Sequence, residues 1–267
     1  VYTVQVMNLL IENGADIINL SLTAEGVHQM LEDSINEAVK QNVNVIVAAG
    51  NNSADLSKKT YSPACVESAV TVSAVDKNHK LSRYSNYNGT IDIAAPGDNV
   101  KSCYLNNTYS LMSGTSMAAP QVSAGFAIIR SAFPDKTAEE VEEMIEKYAI
   151  KMEKVSGENK YGAGILYLKY ILQALPRTAS VKFSVASGKF NEAFKLTLSC
   201  PEEGATILYM INGEDGVDVN FLSGIKYKSA ITISESSKVT AVAISKGKAF
   251  SLPVTYEYNR VIEKEED

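Results

Sequence analysis

Two continuous apolar segments, separated by an amphipathic stretch, constrain the fold of this chain more than any other feature. Residues 15–22 (ADIINLSL) and 43–49 (VNVIVAA) are largely apolar, and residues 27–41 between them carry apolar side chains at helical spacing. Strands that are apolar on both faces are typical of a parallel sheet covered by helices, because a half-exposed sheet would alternate apolar and polar residues. The pattern therefore predicts a βαβ unit within an α/β domain whose parallel sheet is the middle of three α/β/α layers.

Further elements extend this unit. Residues 4–13 have helical spacing and stop at Gly14, and residues 69–75 and 90–95 have the composition of strands. The stretch 115–133 predicts a buried helix, and Thr137 opens a capping box before an acidic, solvent-facing helix. The side chains predicted to face inward from the helix at 27–41 are Val27, Met30, Leu31, Ile35, Ala38 and Val39.

The pattern changes after Pro176. Short alternating segments such as FKLTLS and KVTAVAI follow one another, with turn signals at Asn212-Gly213 and 245–248 and no helical period. This texture predicts a second, small all-β sandwich domain. The predicted organisation is an α/β domain at 1–177, a sandwich at 178–260 and an acidic tail at 261–267.

Composition excludes several classes of protein. Lys and Arg number 25 against 31 Asp and Glu, a net charge of −6, which argues against a nucleic-acid binder. No apolar run reaches the roughly 18 residues of a membrane span. The three cysteines are too few for a disulfide framework and their spacing fits no zinc motif, so no metal site is predicted.

The segment SGTSMAAP at 113–120 indicates chemistry most directly. A glycine turn leads into the apolar helix and places Ser116 in its first turn. There, free backbone N–H groups and the positive end of the helix dipole would face a developing negative charge. This environment suits a serine nucleophile whose acyl transfer passes through an oxyanion. A serine that merely caps the helix is the alternative for this motif by itself.

Two strand ends could complete such a site. Asn51 follows the buried strand and the small residues at 48–50, which would let a substrate backbone approach closely, and its amide could bind an oxyanion. Ser21 and Leu22 end the first strand, whose edge could pair with an extended peptide. Taken singly, the first is also an ordinary asparagine turn and the second an ordinary buried strand.

Together these segments resemble the subtilisin-like serine peptidases, or subtilases. Residues 114–120 (GTSMAAP) are similar to the family's nucleophile motif, 48–51 (AAGN) to its oxyanion-hole strand and 15–22 to its substrate-pairing strand. The resemblance implies proteolysis of polypeptide substrates by a serine endopeptidase, through an acyl-enzyme at Ser116. The oxyanion hole would be formed by the Asn51 side chain and the Ser116 N–H. It also implies substrate contacts at Ser21, Leu22, Ala48, Ala49 and Gly50. The family often binds structural calcium, and the resemblance implies no other cofactor.

The histidine and aspartate that such a serine needs are not evident. A serine hydroxyl needs a base to take its proton, and the family supplies a histidine oriented by an aspartate, both upstream of the substrate-pairing strand. His28 and His79 follow that strand and stand in polar surface contexts. The resemblance therefore implies the C-terminal part of a subtilase core, incomplete at its N-terminus, with the catalytic Asp and His in a missing N-terminal half. Such a chain is expected to be almost inactive alone.

The segment from 204 to 244 is similar to chitobiase C-terminal-like β-sandwich modules, which are frequent appendages of extracellular bacterial enzymes. The resemblance implies a secreted or cell-envelope-associated bacterial protein, although this chain shows no signal segment. The module could attach the protein to a glycan or cell surface, or act as a spacer. The alternative for the whole chain is a pseudoprotease, or a surface- or glycan-binding protein without catalytic activity.

Overall fold

The computed structural model describes residues 2–153, 158–213, 219 and 223–261. The chain divides into two compact units, Val1–Ala174 and Leu175–Asp267, close to the predicted boundary at Arg177. The predicted acidic tail lies, apart from Val261, outside the described residues.

The first unit contains helices on both sides of a parallel sheet. Its helices are α1 (Tyr2–Glu12), α2 (Gln29–Lys40), α3 (Thr115–Ala132), α4 (Ala138–Lys147) and α5 (Leu168–Ala174). Its strands are β1 (Ile17–Leu20), β2 (Ala24–Glu25), β3 (Asn44–Ala48), β4 (Tyr61–Ser62), β5 (Val70–Val75), β6 (Ile91–Pro96), β7 (Val100–Tyr104) and β8 (Thr108–Met112). A 3₁₀ turn at Leu105–Asn107 joins β7 to β8.

The central sheet has the order β1-β3-β5-β6, and its neighbouring strands are parallel. Alternate residues of β3 point to opposite faces. Val45 and Val47 pack with residues of α1 and α2, whereas Ile46 and Ala48 pack with residues of α3, α4 and α5. Both faces are thus buried, as the unbroken apolar strands predict, and the three-layer α/β/α arrangement is confirmed.

Three local predictions are wrong. Helix α2 begins at Gln29, so Val27 precedes it, and both Val27 and Met30 are exposed, since the face toward the sheet is formed by Ile35 and Ala38. Cys103 lies beside a predicted strand, where a free cysteine is expected to be a small buried apolar residue, but it is exposed on the β7–β8 hairpin. Glu142, predicted to face solvent on α4, is half-buried, and burial raises its pKa to about 7.

The second unit is built from β strands among its described residues. These are β9 (Lys182–Phe183), β10 (Gly188–Phe190), β11 (Phe194–Leu196), β12 (Leu198–Ser199), β13 (Thr206–Ile211), β14 (Ile225–Lys226), β15 (Ile231–Ile233), β16 (Ser237–Ile244) and β17 (Val254–Arg260). Five form a sheet of order β10-β17-β16-β13-β14, and two further pairs are β11-β15 and β12-β9. Leu196, Val239 and Tyr258 are at the centre of its core.

Within the described ranges, the helices are too short or too polar to cross a membrane.

Candidate active site

The carboxyl ends of β1 and β3 lie side by side. The two strands are parallel with Leu20 opposite Val47, so Ser21 and Ala48 follow at the same edge of the sheet. Helix α3 packs across the sheet below that edge, and its first residue, Thr115, is buried. The ends of two strands and the start of one helix therefore converge, which is the edge where parallel sheets place their ligands.

The predicted site residues differ in their access to solvent. Ser116 and Ser21 are half-buried, and Leu22 and Asn51 are exposed. Ala48, Ala49 and Gly50 are buried. The structure thus brings three polar side chains with access to solvent to the rim of a floor of small residues.

Ser116 and Ser21 bond each other in both directions. The Ser116 hydroxyl donates to the Ser21 carbonyl oxygen at 3.1 Å. The Ser21 hydroxyl donates to the Ser116 carbonyl oxygen at 3.0 Å. These two bonds join residues that are 95 positions apart and fix the end of β1 against the first turn of α3.

Asn51 is held by its side-chain oxygen. That oxygen accepts hydrogen bonds from the backbone N–H and the hydroxyl of Thr115, both at 2.9 Å. The Asn51 amide nitrogen then lies on the side of Gly114. An ideal Cβ atom on Gly114 would be 3.3 Å from Asn51 Nδ2 and 3.7 Å from the Ser116 nitrogen. Two nitrogen atoms that can donate hydrogen bonds thus lie within 4 Å of one point beside Gly114.

Gly50 and Asn86 set the path of the chain that carries Asn51. Gly50 has a φ of +102°, and a Cβ atom there would collide with Asn86 Nδ2. The buried Asn86 side chain donates to the Ala49 carbonyl oxygen at 2.8 Å. It also accepts from the N–H groups of Asn52 at 3.0 Å and Ala54 at 2.9 Å. One carboxamide therefore ties down the residues on both sides of Asn51.

The turn before Ser116 is fixed from β6. The Gly114 N–H donates to the Gly97 carbonyl oxygen at 2.9 Å. The Tyr84 hydroxyl donates to the same oxygen at 2.9 Å and to Asp98 at 2.5 Å. Burial, together with the Asp98 carboxylate, raises the pKa of Tyr84 to about 12, so the phenol stays a proton donor near neutral pH.

The two histidines lie on other parts of the first unit. His28 immediately precedes α2, is exposed and makes no capping bond with its side chain, and its backbone N–H donates to Ser62 Oγ at 3.0 Å. His79 is exposed in the turn after β5, where it has a φ of 62°. The Ser116 hydroxyl therefore donates to a main-chain oxygen and to neither imidazole.

The part of the chain that the structure describes does not gather a metal site. No three His, Cys, Asp or Glu side chains there lie close enough together to hold an ion. The calcium that the resemblance allows for therefore has no acidic cluster among the described residues.

Thr115 and Asn86 are the residues that sequence reasoning did not find. Thr115 was visible only as part of a motif, and its role depends on Asn51, which is 64 positions away. Asn86 stands in a polar stretch, RYSNYN, with no periodic signal. The Asn86 side chain bonds backbone carbonyl and N–H groups of the chain around Asn51. Which groups need such a partner depends on the fold, so the sequence does not identify this asparagine.

Both units match known families. Residues 2–164 match the Subtilase family, and residues 185–255 match the Chitobiase/beta-hexosaminidase C-terminal domain. The first match covers more than half of the chain and contains all of the site residues described above.

Individual relatives agree. Over 159 residues the chain is 32% identical to the minor extracellular protease Epr of Bacillus subtilis, covering 60% of this chain and 24% of that protein. Over 164 residues it is 32% identical to subtilisin DY of Bacillus licheniformis, covering 61% of this chain and 58% of that one. A solved protease structure from Pseudoalteromonas arctica superimposes with a TM-score of 0.55 at 32% identity, over 61% of this chain and 52% of that one. The chain thus spans between about a quarter and three fifths of the curated relatives named here.

Proposed function

Since the chain belongs to the subtilase family, we propose that it carries the nucleophile and the oxyanion-binding groups of a serine endopeptidase. The observation that supports this most is the convergence of Asn51 Nδ2 and the Ser116 N–H on one space beside Gly114. A serine that only capped the helix would not need a second donor from another strand at that point.

Ser116 would act by covalent catalysis. Its oxygen attacks the carbonyl carbon of the scissile bond, and the oxyanion that forms accepts hydrogen bonds from Asn51 Nδ2 and the Ser116 N–H. Collapse of the intermediate expels the amine and leaves an ester on Ser116, which water then hydrolyses to restore the hydroxyl. The proton that leaves Ser116 passes to a base and from there to the departing amine.

The substrate would lie along the edge formed by the two strand ends. The main chain of Ser21 and Leu22 would pair with an extended peptide, in the manner of an added strand. The buried floor of Ala48, Ala49 and Gly50 would receive the side chain before the scissile bond. Thr23 Oγ1 would lie 3.3 Å from a Cβ atom on Gly50, so its side chain borders this floor and would limit the size of that residue.

The histidine base and its aspartate would come from polypeptide outside these 267 residues. Both histidines of the chain are exposed on other elements, and the Ser116 hydroxyl donates to Ser21 instead. A serine hydroxyl without a base is a poor nucleophile. The chain by itself is therefore expected to be almost inactive.

The first unit has an exposed apolar surface on which the polypeptide that supplies the histidine and the aspartate could pack. β1 is the end strand of the sheet, and beside it α1 exposes Tyr2 at 85%, Val6 at 54% and Leu9 at 58%. A cavity of about 400 Å³ lies between α1 and β1 and is lined by Leu10 and Leu20 among others. Exposed apolar area next to an end strand is the usual mark of a surface that another segment covers. A segment that paired with β1 would end beside Ser21 and Ser116.

We place the protein outside the cell or on the cell envelope of a bacterium, as the name of the extracellular relative suggests. The second unit would then be an attachment or spacer module. The alternative is a pseudoprotease that uses this module for glycan or surface binding and has no catalytic activity.

The test is labelling of the natural gene product with a fluorophosphonate, followed by peptide mapping of the labelled serine. Labelling at Ser116 that is lost in Ser116→Ala, and retained in the exposed control Ser102→Ala, supports the peptidase. Labelling that survives in Ser116→Ala overturns the nucleophile assignment. If the protein encoded by the natural gene does not react with the fluorophosphonate at all, the pseudoprotease is favoured.

A further inference from the structure

The Ser116 carbonyl lacks its ordinary helical partner. In a regular α-helix it would accept the N–H of the residue four positions on, which is residue 120. That residue is Pro120, inside α3, and proline has no N–H and crowds the carbonyl four positions before it. The Ser21 hydroxyl fills the gap, donating to this oxygen at 3.0 Å. A side chain from β1's end thus replaces a hydrogen bond that the nucleophile's own helix cannot make.

Asn19 on β1 controls the direction of that hydroxyl. Its Nδ2 donates to Ser21 Oγ at 2.9 Å, so the hydroxyl oxygen is occupied as an acceptor and its proton is free to point at Ser116. The oxygen of Asn19 in turn accepts from the Ser123 hydroxyl at 2.9 Å, a shorter contact than the 3.2 Å from the same hydroxyl to the Ala119 carbonyl oxygen. Ser123 lies seven residues after Ser116 on α3, two turns along the same face. The carboxamide is therefore fixed at both ends, by the helix and by the strand end.

We propose that Asn19 is a positioning residue for Ser116: it orients the Ser21 hydroxyl, which gives the Ser116 carbonyl the hydrogen bond that Pro120 removes. The hydrogen bonds that link Ser123, Asn19, Ser21 and Ser116 in series then fix the distance between the end of β1, which would pair with substrate, and the proposed nucleophile. Asn19 itself touches neither substrate nor the reacting atoms. The inference rests on the proposed function for its catalytic consequence, but its hydrogen bonds stand without it.

The first test changes the polarity of Asn19 and keeps its shape. In Asn19→Asp the carboxylate only accepts, so the Ser21 hydroxyl turns toward it and leaves the Ser116 carbonyl. The natural gene product carrying Asn19→Asp is expected to react with a fluorophosphonate at Ser116 about three- to tenfold more slowly, the effect of one hydrogen bond. The loss should appear in the maximal rate of inactivation, with the half-saturating probe concentration unchanged. Asn36→Asp, the same change on the exposed surface of α2, is the matched control and should react like the parent.

The second test is a double-mutant cycle with Pro120→Ala, which returns an N–H to the helix. If the Ser21 hydroxyl stands in for that N–H, Asn19→Asp should cost much less in the Pro120→Ala background than in the parent. Equal losses in the two backgrounds, or no loss in the parent, would overturn the proposal. Failure of Asn36→Asp to match the parent would also count against it, because a general charge effect would then explain the loss.

A third measurement separates this inference from the peptidase assignment. Amide hydrogen exchange at Met117, Ala118 and Ala119 reports the opening of the first turn of α3 in this chain, whether or not Ser116 reacts. Faster exchange in Asn19→Asp, suppressed by Pro120→Ala, would support the positioning role even if the natural product is never labelled. Unchanged exchange would overturn it even if the peptidase assignment holds.

Discussion

Thr115 holds Asn51 by its oxygen, with its backbone N–H and its hydroxyl both at 2.9 Å. A carboxamide whose oxygen is bound in this way has its NH₂ group directed the other way, toward the space beside Gly114 and the Ser116 N–H. The residue immediately before the nucleophile therefore orients the side chain that would bind the oxyanion. In the proposed reaction this donor would be fixed before substrate arrives, so no reorganisation would be needed when the negative charge develops.

Asn51→Leu should abolish most reactivity at Ser116 and lower the stability of the fold, because the N–H and the hydroxyl of buried Thr115 lose their shared acceptor. Loss of the corresponding donor in a subtilisin raises the activation barrier by about 2.7–4 kcal/mol, and we expect the same increase at this site. The measurement is the fluorophosphonate labelling rate of the natural gene product, with the thermal midpoint as a check on folding. A rate within twofold of the parent would remove Asn51 from the oxyanion hole.

Thr115→Val should give a smaller loss than Asn51→Leu. The valine keeps the backbone N–H that bonds Asn51 but removes the hydroxyl, which also accepts from the Gly50 N–H at 3.1 Å. We expect the barrier to labelling to rise by about 1–2 kcal/mol, since the hydrogen bond to Asn51 is lost and the buried Gly50 N–H loses its partner. Thr108→Val, which removes an exposed hydroxyl from the β7–β8 hairpin, is the control. Equal rates for the two valine variants would show that the Thr115 hydroxyl does not orient Asn51.

Gly162→Ala should destabilise the first unit by about 2–4 kcal/mol. Gly162 has a φ of +56°, and a Cβ atom there would collide with the backbone of Asp92 on β6, which cannot move without disturbing the sheet. Gly14→Ala provides the comparison, because Gly14 has a φ of +76° but nothing within 4 Å of the added carbon. Urea denaturation should show only about 1 kcal/mol of loss for that variant. If both variants lose the same amount, the close approach to Asp92 does not matter.

The stability of the first unit should fall as the pH rises from about 4 to about 8. Burial raises the pKa of Asp92 from 3.8 to about 7, against a hydrogen bond from the Thr71 amide, and Glu142 and Glu146 add to the rise. Between these two pKa values the folded chain keeps a proton on Asp92 that the unfolded chain has lost. The contribution of protonated Asp92 to stability is therefore complete below the pKa of the unfolded chain, and it is lost as the pH rises through about 7.

Asp92→Asn isolates that contribution. The amide does not titrate in this window, and its oxygen can still accept from the Thr71 N–H. The free energy of unfolding in urea, measured at several pH values, should depend less steeply on pH in Asp92→Asn than in the parent. Asp33→Asn, on the exposed side of α2, should keep the parent's slope. A slope in Asp92→Asn equal to that of the parent would contradict the assignment.

The sequence by itself determined the layers of the first unit and the identity of its motifs. The apolar runs around β1 and β3 and the period of α2 are encoded within residues 15–49. Strands that are apolar on both faces require that both faces of the sheet be covered. Residues 48–51 and 114–120 likewise identified Asn51 and Ser116 as candidates. The same local patterns misplaced Met30, because one residue of error in a helix turns a side chain about 100°.

Only the tertiary structure decided how those candidates act. The bonds of Thr115 to Asn51 and of Ser21 to Ser116 join residues 64 and 95 positions apart. They exist because the ends of β1 and β3 lie in register at one edge of the sheet, where α3 begins. A sequence can show that Pro120 leaves the Ser116 carbonyl without a helical partner, but not which donor will fill the gap. That choice depends on the packing of α3 across the sheet, which follows from the burial of many side chains at once and from no single motif.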